Sequence, residues 1–323
     1  MFDEMAIKKH LEYCGGKLLG RVDMGPNIEC DENELAKEAF FLSAVAINDY
    51  WKVPFGYFLI NGLTADQKES LVNQAVITLH EAGLRVISLT FDGPKVNIKM
   101  VEQLVGQSLD PLDQNFKTYF LHPITQTRIY IFPDPCHMFK LERNHLGDND
   151  IITDDGVIKW SYIKELHDIQ EKEGLHLGNK LRSRHINYKK QIMKVKLASQ
   201  VFSDSVADSL IFLRDTIKDP FFKHCEETVK FIKIVNDLFD IMNSRNLSQR
   251  NFKQPINASN KKDFFKRLDE CKEYFMSLQN PNGTLLINTI HKTGFLGLII
   301  CIESLKNLYI DICENEKILK FYV

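Results

Sequence analysis

A chain of 323 residues with 44% hydrophobic and 26% charged side chains can build one large domain or two ordinary ones, each with its own core. Its formal net charge of -2 gives no global attraction to nucleic acid or membrane, so any basic surface has to be local. Seven cysteines, an odd number without paired Cys-x-x-Cys spacing, read as reduced thiols rather than a disulfide framework or a zinc module.

Met1 to Met5 carries no basic leader, and the longest apolar patch, Phe295 to Ile302, is too short to span a bilayer. Neither a secretory signal nor a membrane partner is expected. Phe2 to Tyr13 and Lys17 to Asp23 flank Cys14-Gly15-Gly16, a two-glycine turn suited to a hairpin. Gly25 to Lys37 is polar and irregular, after which Ala39 to Ile47 and Val53 to Ile60 read as two apolar strands, with Pro54 near the start of the second. Thr64 then caps a helix, with Gln67 three residues on as in a capping box, and its apolar positions Leu71, Ala75, Val76 and Leu79 run at helical spacing to Gly83.

The run Val86-Ile-Ser-Leu-Thr-Phe-Asp92-Gly93-Pro94 is short, apolar and rich in β-branched residues, and it stops on an acid followed by two breakers. It reads as a buried strand with Asp92 at its carboxyl end, where open α/β sheets keep their chemistry. A helix from about Val96 to Val105 and a strand from Arg128 to Phe132, ending in Pro133-Asp134-Pro135, complete the first part. The order β-β-β-α-β-α-β predicts a ribonuclease-H-like α/β fold, a mixed five-strand sheet flanked by helices. After about Gly147 helical patterns take over, at 160–173, 179–202, 205–217, 226–244, 261–278 and 292–313, and predict a second, all-helical domain.

Several stretches carry a resemblance. Phe2-Asp3-Glu4-Met5-Ala6-Ile7, Tyr50-Trp51-Lys52-Val53-Pro54-Phe55-Gly56-Tyr57, Leu89-Thr90-Phe91-Asp92-Gly93, Asp134-Pro135-Cys136-His137-Met138-Phe139-Lys140-Leu141-Glu142-Arg143-Asn144 and Lys292-Thr293-Gly294-Phe295-Leu296-Gly297 occur in that order. Together they resemble the P-element-type, or THAP-domain-type, DNA transposases. The resemblance implies a ribonuclease-H-like catalytic domain over residues 1–147, interrupted after its last strand by a helical GTP-binding insertion over 148–318, with 319–323 beginning the return segment. It also implies a nuclear protein whose partners are DNA, both transposon ends and target, and GTP, with a homo-oligomer as the assembly.

Such a fold performs phosphodiester hydrolysis and strand transfer with two divalent ions held by clustered carboxylates. Hard oxygen ligands suit Mg²⁺ or Mn²⁺. Asp3 and Asp92 match the first two acids of the family's triad; the other reading of each is a turn residue at a strand end. The family's third acid, a Glu on the helix returning after the insertion, has no counterpart among Glu303, Asp311, Glu314 and Glu316, and no zinc finger precedes Asp3. The expectation is a fragment of a transposase with weak metal binding and no DNA cleavage by itself. The rival reading is a domesticated or decayed non-catalytic protein that binds DNA, nucleotide or another protein.

Asp134, Cys136 and His137 invite a zinc reading. Adjacent Cys and His on a strand point to opposite faces, and no distal pair completes a tetrahedral site, so a structural role at the junction of strand and insertion is expected, with Asp134 as an accessory metal ligand the lesser option. The run Lys180, Arg182, Arg184, His185, Lys189, Lys190, Lys194 and Lys196 has no acid among it and, on one helix, either contacts phosphates or forms a solvated face over inward Leu181, Ile192, Val195 and Leu197. No P-loop is present, and Asn179-Lys180 begins like a guanine-reading Asn-Lys-x-Asp motif but has Arg182 in the Asp position. Asp237 and Asp240 are candidates to read guanine; the other reading makes Asn236, Asp237 and Asp240 the wet face of a helix whose core side is Ile232, Val235, Phe239 and Met242.

Overall fold

A computed structural model of the chain describes residues 1–25, 28, 33–47, 49–244 and 248–315. The return segment expected at 319–323 lies outside them. Contacts divide the chain into two compact units, Met1–Asp134 and Pro135–Val323.

The first unit opens with β1 (Phe2–Ala6) and a small hairpin of β2 (Glu12–Cys14) and β3 (Lys17–Leu19). Gly15 and Gly16 close that hairpin at φ of 58° and 81°, the positive values its two-residue turn demands. β4 (Glu38–Val45) and β5 (Lys52–Ile60) follow, and the antiparallel order is β1-β4-β5. The register slips between Leu42 and Ser43, opposite the stretch Pro54 to Gly56. With β5 at the edge, Pro54 lacks an N–H without breaking an interior ladder.

α1 (Ala65–Glu81) begins with both hydrogen bonds of the capping box: Gln67 N donates to Thr64 Oγ1 at 3.2 Å and Thr64 N to Gln67 Oε1 at 3.0 Å. Then come β6 (Ser88–Phe91), α2 (Lys95–Val105), β7 (Tyr119–Leu121) and β8 (Arg128–Pro133). β6 runs parallel to β8, and β7 antiparallel to it. Six strands in two three-stranded arrays therefore stand where the sequence predicts five in one. β7, at three residues, is too short to show alternation. The arrays meet where Phe2 of β1 stacks on Phe91 of β6, ring centres 5.9 Å apart and 11° from parallel.

The second unit begins with α3 (Pro135–Asp148), thirteen positions ahead of the insertion start expected at 148. α3 groups with the second unit because its buried face packs on the later helices of that unit. Proline is favoured in a first helical turn, so Pro135 starts a helix here and Cys136 and His137 are helical rather than strand residues. A hairpin of β9 (Ile151–Thr153) and β10 (Gly156–Ile158) follows, so the unit is not all helical. Thr153 Oγ1 bonds Glu227 Oε2 at 2.9 Å, tying that hairpin to a later helix.

α4 (Trp160–Glu173) matches its prediction, but the helix predicted over 179–202 is broken into α5 (Ser183–Ile186), a tight turn at Tyr188–Lys190 and α6 (Val195–Val201). The break has a tertiary cause. Arg143 donates to the Gln191 and Ile192 carbonyls, both at 3.3 Å, and its guanidinium lies 5.5 Å over the Tyr188 ring. Those carbonyls point at a buried cation instead of continuing a helix, and Ile192 is exposed. α7 (Asp204–Phe212), α8 (Glu226–Met242), α9 (Lys261–Ser277) and α10 (Thr293–Tyr309) complete the unit. α10 is buried almost all round, which accounts for the apolar run at 295–302; no described helix is long and apolar enough to cross a membrane.

Candidate functional site

In the first unit, β6 and β8 lie side by side in parallel with Phe91 opposite Pro133, so the next residue of each chain is an acid at the same level. The Asp134 N–H donates to the Phe91 carbonyl at 2.7 Å, which fixes that level. Carboxylate oxygens of Asp92 and Asp134 consequently come within 4.8 Å of one another, both half-buried. The Asp92 backbone is held in turn by Asn97 of α2, whose Nδ2 donates to the Asp92 carbonyl at 3.1 Å.

The direction of Asp3 is set by strand alternation. Phe2 stacks on Phe91, and successive side chains of a strand point to opposite faces, so Asp3 leaves β1 on the face away from that stack; it is not among the residues whose ligand atoms gather with Asp92 and Asp134 within 4.8 Å. Asp3 is exposed there, in line with Phe41 of β4 and Tyr57 of β5, which are exposed too. Its Oδ1 accepts from the Glu4 N–H at 2.8 Å.

The two carboxylates at the ends of β6 and β8 are hard oxygen donors, and two acids brought this close favour a cation between them. The donor set therefore fits a divalent ion such as Mg²⁺ or Mn²⁺. Asp134 is the residue that sequence reasoning placed at a junction; its proximity to Asp92 follows from strand order and register. Cys136 and His137 are half-buried in the first turn of α3, at successive helical positions about 100° apart, so they too diverge.

In the second unit, Asp237 and Asp240 lie one turn apart on α8. Asp237 accepts from Arg267 Nη2 at 2.7 Å and Nε at 2.9 Å, and Asp240 faces Lys253 Nζ at 3.6 Å and Asn236 Nδ2 at 3.3 Å. Burial raises both carboxyls above the usual range, while Arg267 and Lys253 respectively pull against it. The face is thus less wet than the amphipathic reading holds, with Asn236 itself buried. Lys180 is exposed on the loop before α5. The basic run does not line one helix: His185 is buried with Nε2 2.9 Å from Gln200 Oε1, and Lys189 pairs with Asp148 at 3.0 Å, which also accepts from Tyr188 Oη at 2.7 Å.

Two family models match: the TNP-like ribonuclease H N-terminal domain over residues 1–105 and the TNP-like GTP-binding insertion domain over residues 136–255. The chain is 32% identical to DNA transposase THAP9 of Homo sapiens over 96% of its length. The chain is homologous to the P-element-type transposases. It is also 27% identical over 97% of its length to the Transposable element P transposase of Drosophila melanogaster. Among solved structures, the Drosophila P element transposase strand transfer complex superposes with a TM-score of 0.78 at 25% identity, over 99% of this chain and 66% of that one. The chain spans 34% and 38% of the two curated transposases, about a third of their length. A ribonuclease-H-like N-terminal unit followed by a helical insertion is thus the fold of this chain.

Proposed function

We propose that the first unit is the metal-holding face of a site that cuts and joins DNA strands, and that the second binds a guanine nucleotide. The observation that carries the first part is the convergence of the Asp92 and Asp134 carboxylates beside the strand bearing Asp3. Asp3, Asp92 and Asp134 would hold Mg²⁺ or Mn²⁺, with Asn97 fixing the Asp92 backbone. A bound divalent ion supplies Lewis-acid polarisation of a phosphoryl oxygen. The protein's own part is to hold the Asp92 and Asp134 carboxylates together at the ends of two parallel strands.

The late acids support a division of labour. Glu303 pairs with Lys272 at 2.8 Å and Glu314 with Lys261, both inside the second unit. Among the described residues they are engaged there, so metal binding without strand cleavage is the expected behaviour of this chain by itself. By its kinship the chain would act on DNA in the nucleus, on transposon ends and target, as part of a homo-oligomer. The match to a GTP-binding insertion model supports the nucleotide reading, with Asp237, Asp240 and Lys180 as its candidate contacts.

Thermal unfolding tests the metal site. Mn²⁺ should raise the melting temperature of the wild type and leave Asp92→Asn unmoved; an equal shift in both removes the site. A nicking assay on supercoiled DNA with Mn²⁺ tests the second statement, and cleavage lost in Asp92→Asn would show the chain to be active alone. Titration with GTP and ATP tests the nucleotide reading, for which a GTP response well above the ATP response is expected and equal or absent responses count against it.

A further inference from the structure

We infer that Lys68 and Asn97 are positioning residues for the acidic face, joined to Glu4 in a buried clamp that sets the spacing of the strands carrying Asp3 and Asp92. The inference rests on the metal reading above, and its two positioning residues, Lys68 and Asn97, lie outside the stretches that carry the family resemblance.

Lys68 sits in the first turns of α1 and is 1% exposed, and Asn97 of α2 is 2% exposed. A lysine this deep is retained only when its charge is answered. Here Lys68 Nζ lies 2.5 Å from Glu4 Oε1 and donates to Asn97 Oδ1 at 2.6 Å. Asn97 then spends its amide N–H on the Asp92 carbonyl at 3.1 Å. The relay runs from the residue after Asp3, through one lysine and one asparagine on two helices, to the backbone of Asp92 itself.

Its direction matters as much as its members. Glu4 shares the face of β1 with Phe2, because the two are two residues apart in a strand. Phe2 stacks on Phe91, so the clamp and the ring stack lie on the same, helix-covered side of β1, while Asp3 projects from the other. The two strands share no ladder: β1 belongs to one array and β6 to the other. What holds their acids in register is the ring stack and this polar relay. Apolar packing tolerates sliding, whereas an ion pair and two hydrogen bonds in a low-dielectric interior fix distance and direction. Residues that orient a metal's ligands without touching the metal typically change affinity by about 10- to 100-fold when removed.

The test uses the whole chain and reads free Mn²⁺ by electron paramagnetic resonance. The double variant Glu4→Gln/Lys68→Met removes the ion pair with near-isosteric neutral groups, so no charge is left buried alone and the net charge near the acids is unchanged. A weaker site in that variant therefore reports geometry rather than electrostatics. We expect the Mn²⁺ dissociation constant to rise by roughly tenfold or more while far-UV circular dichroism stays that of the wild type. A folded double variant that binds as tightly as wild type overturns the positioning role, even if its melting temperature has dropped. If the double variant does not fold, Asn97→Leu decides, because it leaves Glu4 and Lys68 paired and removes both Asn97 bonds, the one from Lys68 and the one to the Asp92 carbonyl; unchanged affinity there overturns the proposal. Wild type that binds no more Mn²⁺ than Asp92→Asn overturns the metal reading and the clamp's role together, an outcome distinct from tight binding in both wild type and clamp variants.

Discussion

Asp134 shows how one residue's meaning depends on its neighbours in space. In the chain it precedes Pro135, a turn context, yet parallel pairing of β6 and β8 sets it beside Asp92 with oxygens inside 4.8 Å. Asp134→Asn should therefore weaken Mn²⁺ binding by roughly tenfold while Asp92→Asn abolishes it, measured as dissociation constants on folded protein. A glycine makes a second case. A Cβ on Gly147 of α3 would stand 2.3 Å from the Tyr188 ring. Gly to Ala inside a helix ordinarily gains up to about 1 kcal/mol, but here the ring is fixed by its bond to Asp148 and by Arg143 above it. Gly147→Ala should destabilise by about 1 to 3 kcal/mol, visible as a lowered denaturation midpoint; a stabilised variant would show that Tyr188 can move aside.

At the scale of an element, α3 carries the most unusual load. Glu142 is fully buried, neither carboxylate oxygen has a hydrogen-bond partner, and burial pushes its carboxyl well above the ordinary range. The folded state then holds a proton that the unfolded chain releases above about pH 4.5, so stability contributed by the neutral acid declines as pH rises past that point toward the folded value. Glu142→Gln keeps the shape without the titration. Its melting temperature should exceed that of wild type by a margin that grows between pH 5 and pH 8, and a margin independent of pH would mean the carboxyl is not held neutral. His145, one turn on, works in the other direction: burial and the nearby His291 push it down to about 4, so its contribution is lost as pH falls below the usual histidine range. Elements of this kind were partly legible beforehand. The capping box at Thr64 and Gln67 and the glycine turn at Gly15-Gly16 are local rules and read directly, whereas the helix predicted over 179–202 fails because Arg143, nearly fifty residues away, takes two of its carbonyls.

For the molecule as a whole, the metal face proposed for the first unit and the nucleotide site proposed for the second predict two separable ligand responses. GTP should stabilise the chain with Asp92→Asn as well as wild type, since the nucleotide unit does not include that acid, and Mn²⁺ should stabilise wild type alone; a GTP response lost in Asp92→Asn would count against independent sites. By itself the sequence determined the longer strands and helices of the first unit, the acids on β1 and at the end of β6, and the kinship with P-element-type transposases, because periodicity, turn chemistry and motif order are properties of neighbouring residues. Tertiary structure decided which acids meet, where the chain divides, and how a buried lysine and asparagine link two strands that share no ladder. Those facts arise from strand register and from side chains far apart in the polypeptide, and no local pattern encodes the distance between them.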